Sequence, residues 1–173
     1  MGIVASQTIK NTLVTYFGFV IGAINTLFLY TNFLTPTYYG VVGYLLSAST
    51  IMMPILAFGT QNTLIKYFSF YKDQSQKNAF TVLVFLLPVL IAIPAAIIGC
   101  IGYGWIVDIV ASKNHILVPY VWTIFVLAFF MAYFELFYAW AKVHLKSVYG
   151  NLLKEVYHRV MIMILLLGVS LEL

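Results

Sequence analysis

Residues 11–65 read NTLVTYFGFVIGAINTLFLYTNFLTPTYYGVVGYLLSASTIMMPILAFGTQNTLI, 55 residues between Lys10 and Lys66 without one Asp, Glu, Lys or Arg. A buried helix of a soluble core needs about a dozen apolar positions and a bilayer crossing about 20, so this stretch is long enough for two crossings. Its middle holds Thr35 and Pro36. Threonine suits a helix N-cap and proline the first helical position, so the pair predicts a tight turn joining two membrane helices as an antiparallel hairpin.

The rest of the chain has the same character. Of its 173 residues 63% are hydrophobic and 8% charged, against roughly 25% charged in soluble domains, too few to wet the surface of a globule. That excludes a soluble enzyme. The apolar runs are unbroken and lack the alternation of an outer-membrane barrel strand, so the fold class is all-α, a multi-pass transmembrane helix bundle. The single cysteine, Cys100, has no partner for a disulfide, and the net charge of +4 comes from basic residues flanking apolar runs, so nucleic acid is not implied. The long first apolar run without a small-residue cleavage site reads as a retained signal anchor.

The charge gaps divide residues 1–173 into one transmembrane domain with spans at about 11–34, 40–65, 79–103 and 118–141, and an incomplete fifth at 160–173. That last segment is too short to cross, so we expect a piece of a longer protein. Lys10, then Lys66, Lys72 and Lys77, then Lys142, Lys146, Lys154 and Arg159 occupy alternate connections, leaving Lys113 alone on the other side. Retention of basic connections predicts a cytoplasmic N-terminus, with 66–78 and 142–159 inside and a loop at 104–117 outside. Tyr38, Tyr67, Tyr103, Trp105, Trp122 and Trp140 fall near the expected ends, where amphipathic rings meet headgroups.

Each span carries small or polar residues at steps of three and four. Thr15, Gly18, Gly22, Asn25 and Asn32 mark the first, Gly40, Gly43, Ser47, Thr50, Pro54, Ala57 and Gln61 the second, and Ala128, Ala132, Glu135, Ala139 and Lys142 the fourth. Close helix packing accounts for the glycines, as in Gly18-x-x-x-Gly22. Asn25, Gln61 and Glu135 fit better a face lining a hydrated cavity. Glu135 is the only ionisable residue well inside a complete span of this reading, with Lys142 on the same face two turns later. Ion coupling and a structural ion pair both fit it.

Between residues 142 and 159, Leu145, Val148, Tyr149, Leu152, Leu153, Val156 and Tyr157 share one helical face, with His144, Lys146, Asn151, Lys154, Glu155 and His158 on the other. This predicts a cytoplasmic amphipathic helix, lying on the interface or linking spans four and five. Glu155-x-x-His158 has a di-iron spacing but lacks the further ligands, so no metal and no cofactor is implied. No nucleophile elbow, zincin, phosphate-binding or dinucleotide motif occurs, so we expect no enzyme.

The stretches SQTIKNT (6–12), FLTPTYYG (33–40), MPILAFGTQNTLIKYFS (53–69) and YFELFYAWAKVHLKSVYGNLLKEVYHR (133–159) together resemble the start of Wzx-like polysaccharide flippases. These belong to the multidrug/oligosaccharidyl-lipid/polysaccharide exporter superfamily. The resemblance spans the chain but covers only the first of two pseudo-symmetric lobes. It implies movement of a polyprenyl-diphosphate-linked oligosaccharide across the bacterial cytoplasmic membrane by alternating access. Membrane lipids and that carrier lipid are then the partners. Lys66, with Gln61 and Asn62, is the candidate for meeting diphosphate at the inner mouth, and an ordinary cytoplasmic-side lysine is the plain alternative. A drug or cation exporter of the same superfamily, or a small membrane scaffold, are the competing functions.

Overall fold

The computed structural model describes residues 2–170, and every regular element among them is helical. Helix α1 (Ile3–Ile24) passes without a break into a π-helical turn (Asn25–Leu29) and α2 (Tyr30–Phe33). Helix α3 (Pro36–Ala57) follows, then α4 (Thr60–Tyr67), a 3-10 turn (Phe68–Phe70) and α5 (Gln74–Ile101). Next come α6 (Tyr103–Lys113), a 3-10 turn (His115–Tyr120) and α7 (Val121–Val143). Helix α8 (Ser147–Leu152), a second π-helical turn (Leu153–Tyr157) and α9 (His158–Ser170) complete the order. Four stretches are long and apolar enough to cross a membrane: Ala5–Phe33, Pro36–Ala57, Gln74–Ile101 and His115–Val143. The chain is an all-α membrane protein.

Thr35 caps α3 as expected, its hydroxyl accepting from Tyr38 N at 3.5 Å. Several boundaries differ from the charge gaps. The first helix starts at Ile3, so the polar SQTIKNT stretch is already helical. The second crossing ends at Ala57, not near 65, because Phe58 and Gly59 take left-handed conformations, with φ of 48° and 69°. Phe58 N closes the last turn onto Pro54 O at 3.0 Å, and the Thr60 hydroxyl donates to Ala57 O at 2.7 Å as α4 begins. The third helix starts at Gln74, capped by the Asp73 carboxylate, which accepts from Gln76 N at 3.3 Å. Residues 104–117, expected as a loop, are mostly α6 and a 3-10 turn started by Asn114, whose side chain accepts from Ile116 N.

The largest correction concerns 142–159 and the boundary at 160. The chain turns at 144–146, with Leu145 at φ 57°, and from Ser147 to Ser170 runs as one continuous helix through its π-helical turn. No separate amphipathic element ends at Arg159. The expected tail beyond Ser170 lies outside the described residues.

Two compact units form, one of Met1–Gly40 with His144–Leu173 and one of Val41–Val143. The second is built in three layers. Val41 and Leu45 pack with Val110, Leu117 and Val121. Leu56 and Ala57 pack with Ala128 and Ala132, flanked by Ala92 and Ala95. Leu64 packs with Val84, Leu136 and Ala139. Numbers rise together in α3, α4 and α7 and fall in α5, so α3–α4 run parallel to α7 and antiparallel to α5. Alanines at the contacts let backbones approach where lipid offers no hydrophobic drive. Ser49, fully buried, ties α3 to α7 by donating to Ile124 O at 3.1 Å, and Tyr133 ties α7 to α5 by donating to Phe85 O at 2.8 Å. Large apolar side chains point outward, Ile51 at 77% and Ile101 at 83% exposed, as a bilayer solvent permits.

Candidate functional site

In the first unit, α1 lies against the helix from Ser147 to Ser170 along a seam of polar and small residues. Gln7 Nε2 donates to Leu145 O at 2.6 Å, and Asn11 Nδ2 to Ser147 Oγ at 3.2 Å. Asn151 Nδ2 reaches both Asn11 O at 3.0 Å and Thr15 Oγ1 at 3.1 Å. Arg159 Nη1 donates to Gly18 O at 2.6 Å, and its Nη2 pairs with Glu155 Oε2 at 3.1 Å. Asn25 Nδ2 donates to Arg159 O at 2.8 Å. The contacts advance in step along both helices, so they run parallel. From Gln7 to Asn25 the seam is about 27 Å long at 1.5 Å per residue, close to the hydrocarbon thickness.

Gly18 and Gly22 form a packing notch, as expected of Gly18-x-x-x-Gly22, whereas Gly40 and Gly43 of the second span, expected to pack likewise, are exposed with open space around them because α3 packs through Val41, Leu45 and Ser49 instead. A Cβ on Gly18 would lie 2.5 Å from Glu155 O, and one on Gly22 2.7 Å from Arg159 Nη1. Both π-helical turns sit at this level: one starts at Asn25 and the other contains Glu155. Such turns widen the helix locally and recur at functional sites. Asn25 is 3% exposed, and its Oδ1, like Asn11 Oδ1, is buried with no hydrogen-bond partner among the described residues.

The seam reverses the amphipathic reading of 142–159. Asn151 is buried and Glu155 and Arg159 half-buried, while Tyr149, Leu152, Leu153 and Tyr157 are exposed. Asn151, Glu155 and Arg159 pack against α1 while Lys146 and His158 of the same segment stay exposed, so the packed face is a narrow polar stripe and not the apolar one. Glu155 and Arg159 therefore stand level with the middle of the first candidate span, Ala5–Phe33. Sequence reasoning does not single out Arg159, Glu155, Asn151 and Asn11 as site residues. Their signal is the run 147, 151, 155, 159, every fourth residue, opposite 7, 11, 15, 18, 22, 25.

The other expected residues lie in the second unit. Gln61, Asn62 and Lys66 fall on α4, beyond the break at Phe58 and Gly59, while Glu135 and Lys142 fall on α7. Gln61 Oε1 is buried with no partner among the described residues, and Asn62 is exposed. Lys66 is exposed, its ammonium 5.1 Å from the Tyr67 ring centre. Glu135 is half-buried between Ala132 and Leu136, which pack in successive core layers. Lys142 is exposed and holds its ammonium 4.0 Å over Tyr138. Asn25 belongs to the first unit, and these five to the second.

The second unit also has an apolar groove of about 460 Å³ lined by Ala96, Gly99, Cys100, Tyr103, Trp122 and Phe125. Small residues of α5 open it opposite the aromatic rings of α7. Among the described residues no three His, Cys, Asp or Glu side chains gather as a metal site. Neither a protein-family model, nor a curated protein, nor a solved structure matches the chain.

Proposed function

We propose that this chain is part of a membrane carrier that moves a lipid-linked oligosaccharide across the bacterial cytoplasmic membrane during surface polysaccharide synthesis, with its N-terminus cytoplasmic. The observation that carries a transport reading is the polar seam at membrane depth, with Asn25, Glu155 and Arg159 level with the middle of the first span. Ionisable residues at that depth are costly in lipid and mark pathways or coupling sites. The turn at Phe58 and Gly59 after the second crossing leads into α4, whose Gln61, Asn62 and Lys66 supply the polar side chains that the same reading uses at the mouth of the carrier.

A sugar headgroup with a diphosphate cannot shed its water in hydrocarbon, while a polyprenyl tail is at home there. A carrier needs polar surface for the first only. Pairing of Glu155 with Arg159 leaves the seam without net negative charge. That favours an anionic or neutral cargo over the cationic drugs of the exporter alternative. Lys66 on α4 is the candidate contact for diphosphate, and Glu135 the candidate coupling carboxylate.

Deleting the gene tests this. Repeat units are expected to accumulate on their polyprenyl carrier at the inner leaflet, with loss of surface polysaccharide. Normal surface polysaccharide together with new sensitivity to cationic drugs would favour the exporter. In the restored gene, Glu135→Gln is expected to lower transport at normal expression, because the amide keeps the shape and loses titration. Loss of the protein itself would favour a structural ion pair.

A further inference from the structure

The connection between α4 and α5 combines cations with exposed rings. Tyr67 and Phe70 stand 5.7 Å apart, 40% and 72% exposed. The Lys66 ammonium lies over Tyr67, the Lys77 ammonium 5.7 Å from the centre of the Phe68 ring, and Lys72 is exposed between them. The single carboxylate from 66 to 77, Asp73, is turned to its own helix, accepting from Gln76 N. Three ammonium groups thus share the connection with one carboxylate, and that one is engaged as a cap.

We propose that this connection is a docking surface for anionic phospholipid headgroups, with Tyr67 and Phe70 entering the interface and Lys72 and Lys77 meeting lipid phosphates. Charge complementarity selects the occupant. The crossing that precedes the connection ends at Ala57 and the one that follows starts at Gln74, so the patch sits where the chain leaves and re-enters hydrocarbon, at headgroup depth. A zwitterionic lipid brings its own cation to each phosphate, whereas phosphatidylglycerol does not. Each lysine near an anionic surface is worth about five-fold in affinity. This docking surface does not depend on which cargo the protein carries.

The test is lipid retention by the purified full chain in detergent, measured by native mass spectrometry after titration with phosphatidylglycerol or phosphatidylcholine. Phosphatidylglycerol is expected to be retained at least about ten-fold better. The double variant Lys72→Gln with Lys77→Gln should lower that retention about ten-fold or more and leave phosphatidylcholine unchanged, while Lys72→Arg with Lys77→Arg should keep it. Equal retention of both lipids by the unaltered protein would overturn the proposal, as would loss in the arginine pair alike. Displacement of the bound phosphatidylglycerol by one equivalent of a polyprenyl diphosphate would also overturn it, making the patch a cargo site.

Discussion

Gly18 sets the distance between two helices by having no side chain. Gly18→Ala places a methyl group 2.5 Å from the backbone oxygen of Glu155, so the helices must part and the contacts of Arg159 and Asn25 lengthen. Overpacking of this kind costs about 1–3 kcal/mol. Gly43 lies in α3 with open space for 4 Å around the place a methyl group would take, and there alanine is expected to be neutral or to add up to about 1 kcal/mol through its helix preference. Reversible unfolding in bicelles separates the two: a fall in stability for Gly18→Ala alone is expected. Equal behaviour would mean that the notch is not closed. Arg159 shows why the seam tolerates a guanidinium: one arm meets a carbonyl, the other a carboxylate, and its carbon lies 5.5 Å from the centre of the Phe19 ring.

At the scale of elements, the interruption at Phe58 and Gly59 separates a membrane helix from the short helix that carries Gln61, Asn62 and Lys66. Gly59 sits at φ 69° with open space around it, so Gly59→Ala is opposed by conformation alone, at about 1–2 kcal/mol. Thermal unfolding is expected to fall accordingly, with unchanged helix content by circular dichroism. A rise in helix content would show that α3 and α4 had fused. The positions of the four crossings are legible from charge gaps because a charge in hydrocarbon is costly, and the cap at Thr35 from its hydroxyl next to Pro36. The break after Ala57 is not, because the residues around it, Ile55 to Thr63, carry no charge to mark an end. The helix from Ser147 defeats a reading of its own pattern for the opposite reason. Amphipathicity in water puts the apolar face inward, whereas here Asn151 and Arg159 meet partners on α1, Glu155 pairs with Arg159, and Leu152 and Leu153 face out. Nothing in the spacing of one helix names its partner, so the seam is visible only with both helices placed.

At the scale of the molecule, the prediction concerns sidedness. The start of α1 and the turn before α8 share one level through Gln7 and Leu145, and the partition of basic residues predicts that both face the cytoplasm. In a Cys100→Ala background, Ser112→Cys on α6 is expected to react with an impermeant maleimide from outside, and Lys72→Cys only after permeabilisation. The reverse pattern would invert the orientation. Such labelling leaves the path of the last helix open, and on that path rest both the intramembrane position of Glu155 and Arg159 and the transport reading built on it. The most direct measurement is disulfide crosslinking in native membranes with Thr15→Cys and Asn151→Cys, whose native side chains meet at 3.1 Å, in the same Cys100→Ala background. Rapid crosslinking of this pair, with none for Phe17→Cys with Leu152→Cys, both exposed, is the predicted result. Failure of the first pair, with Asn151→Cys freely labelled from water, would place the segment on the membrane surface and contradict the seam.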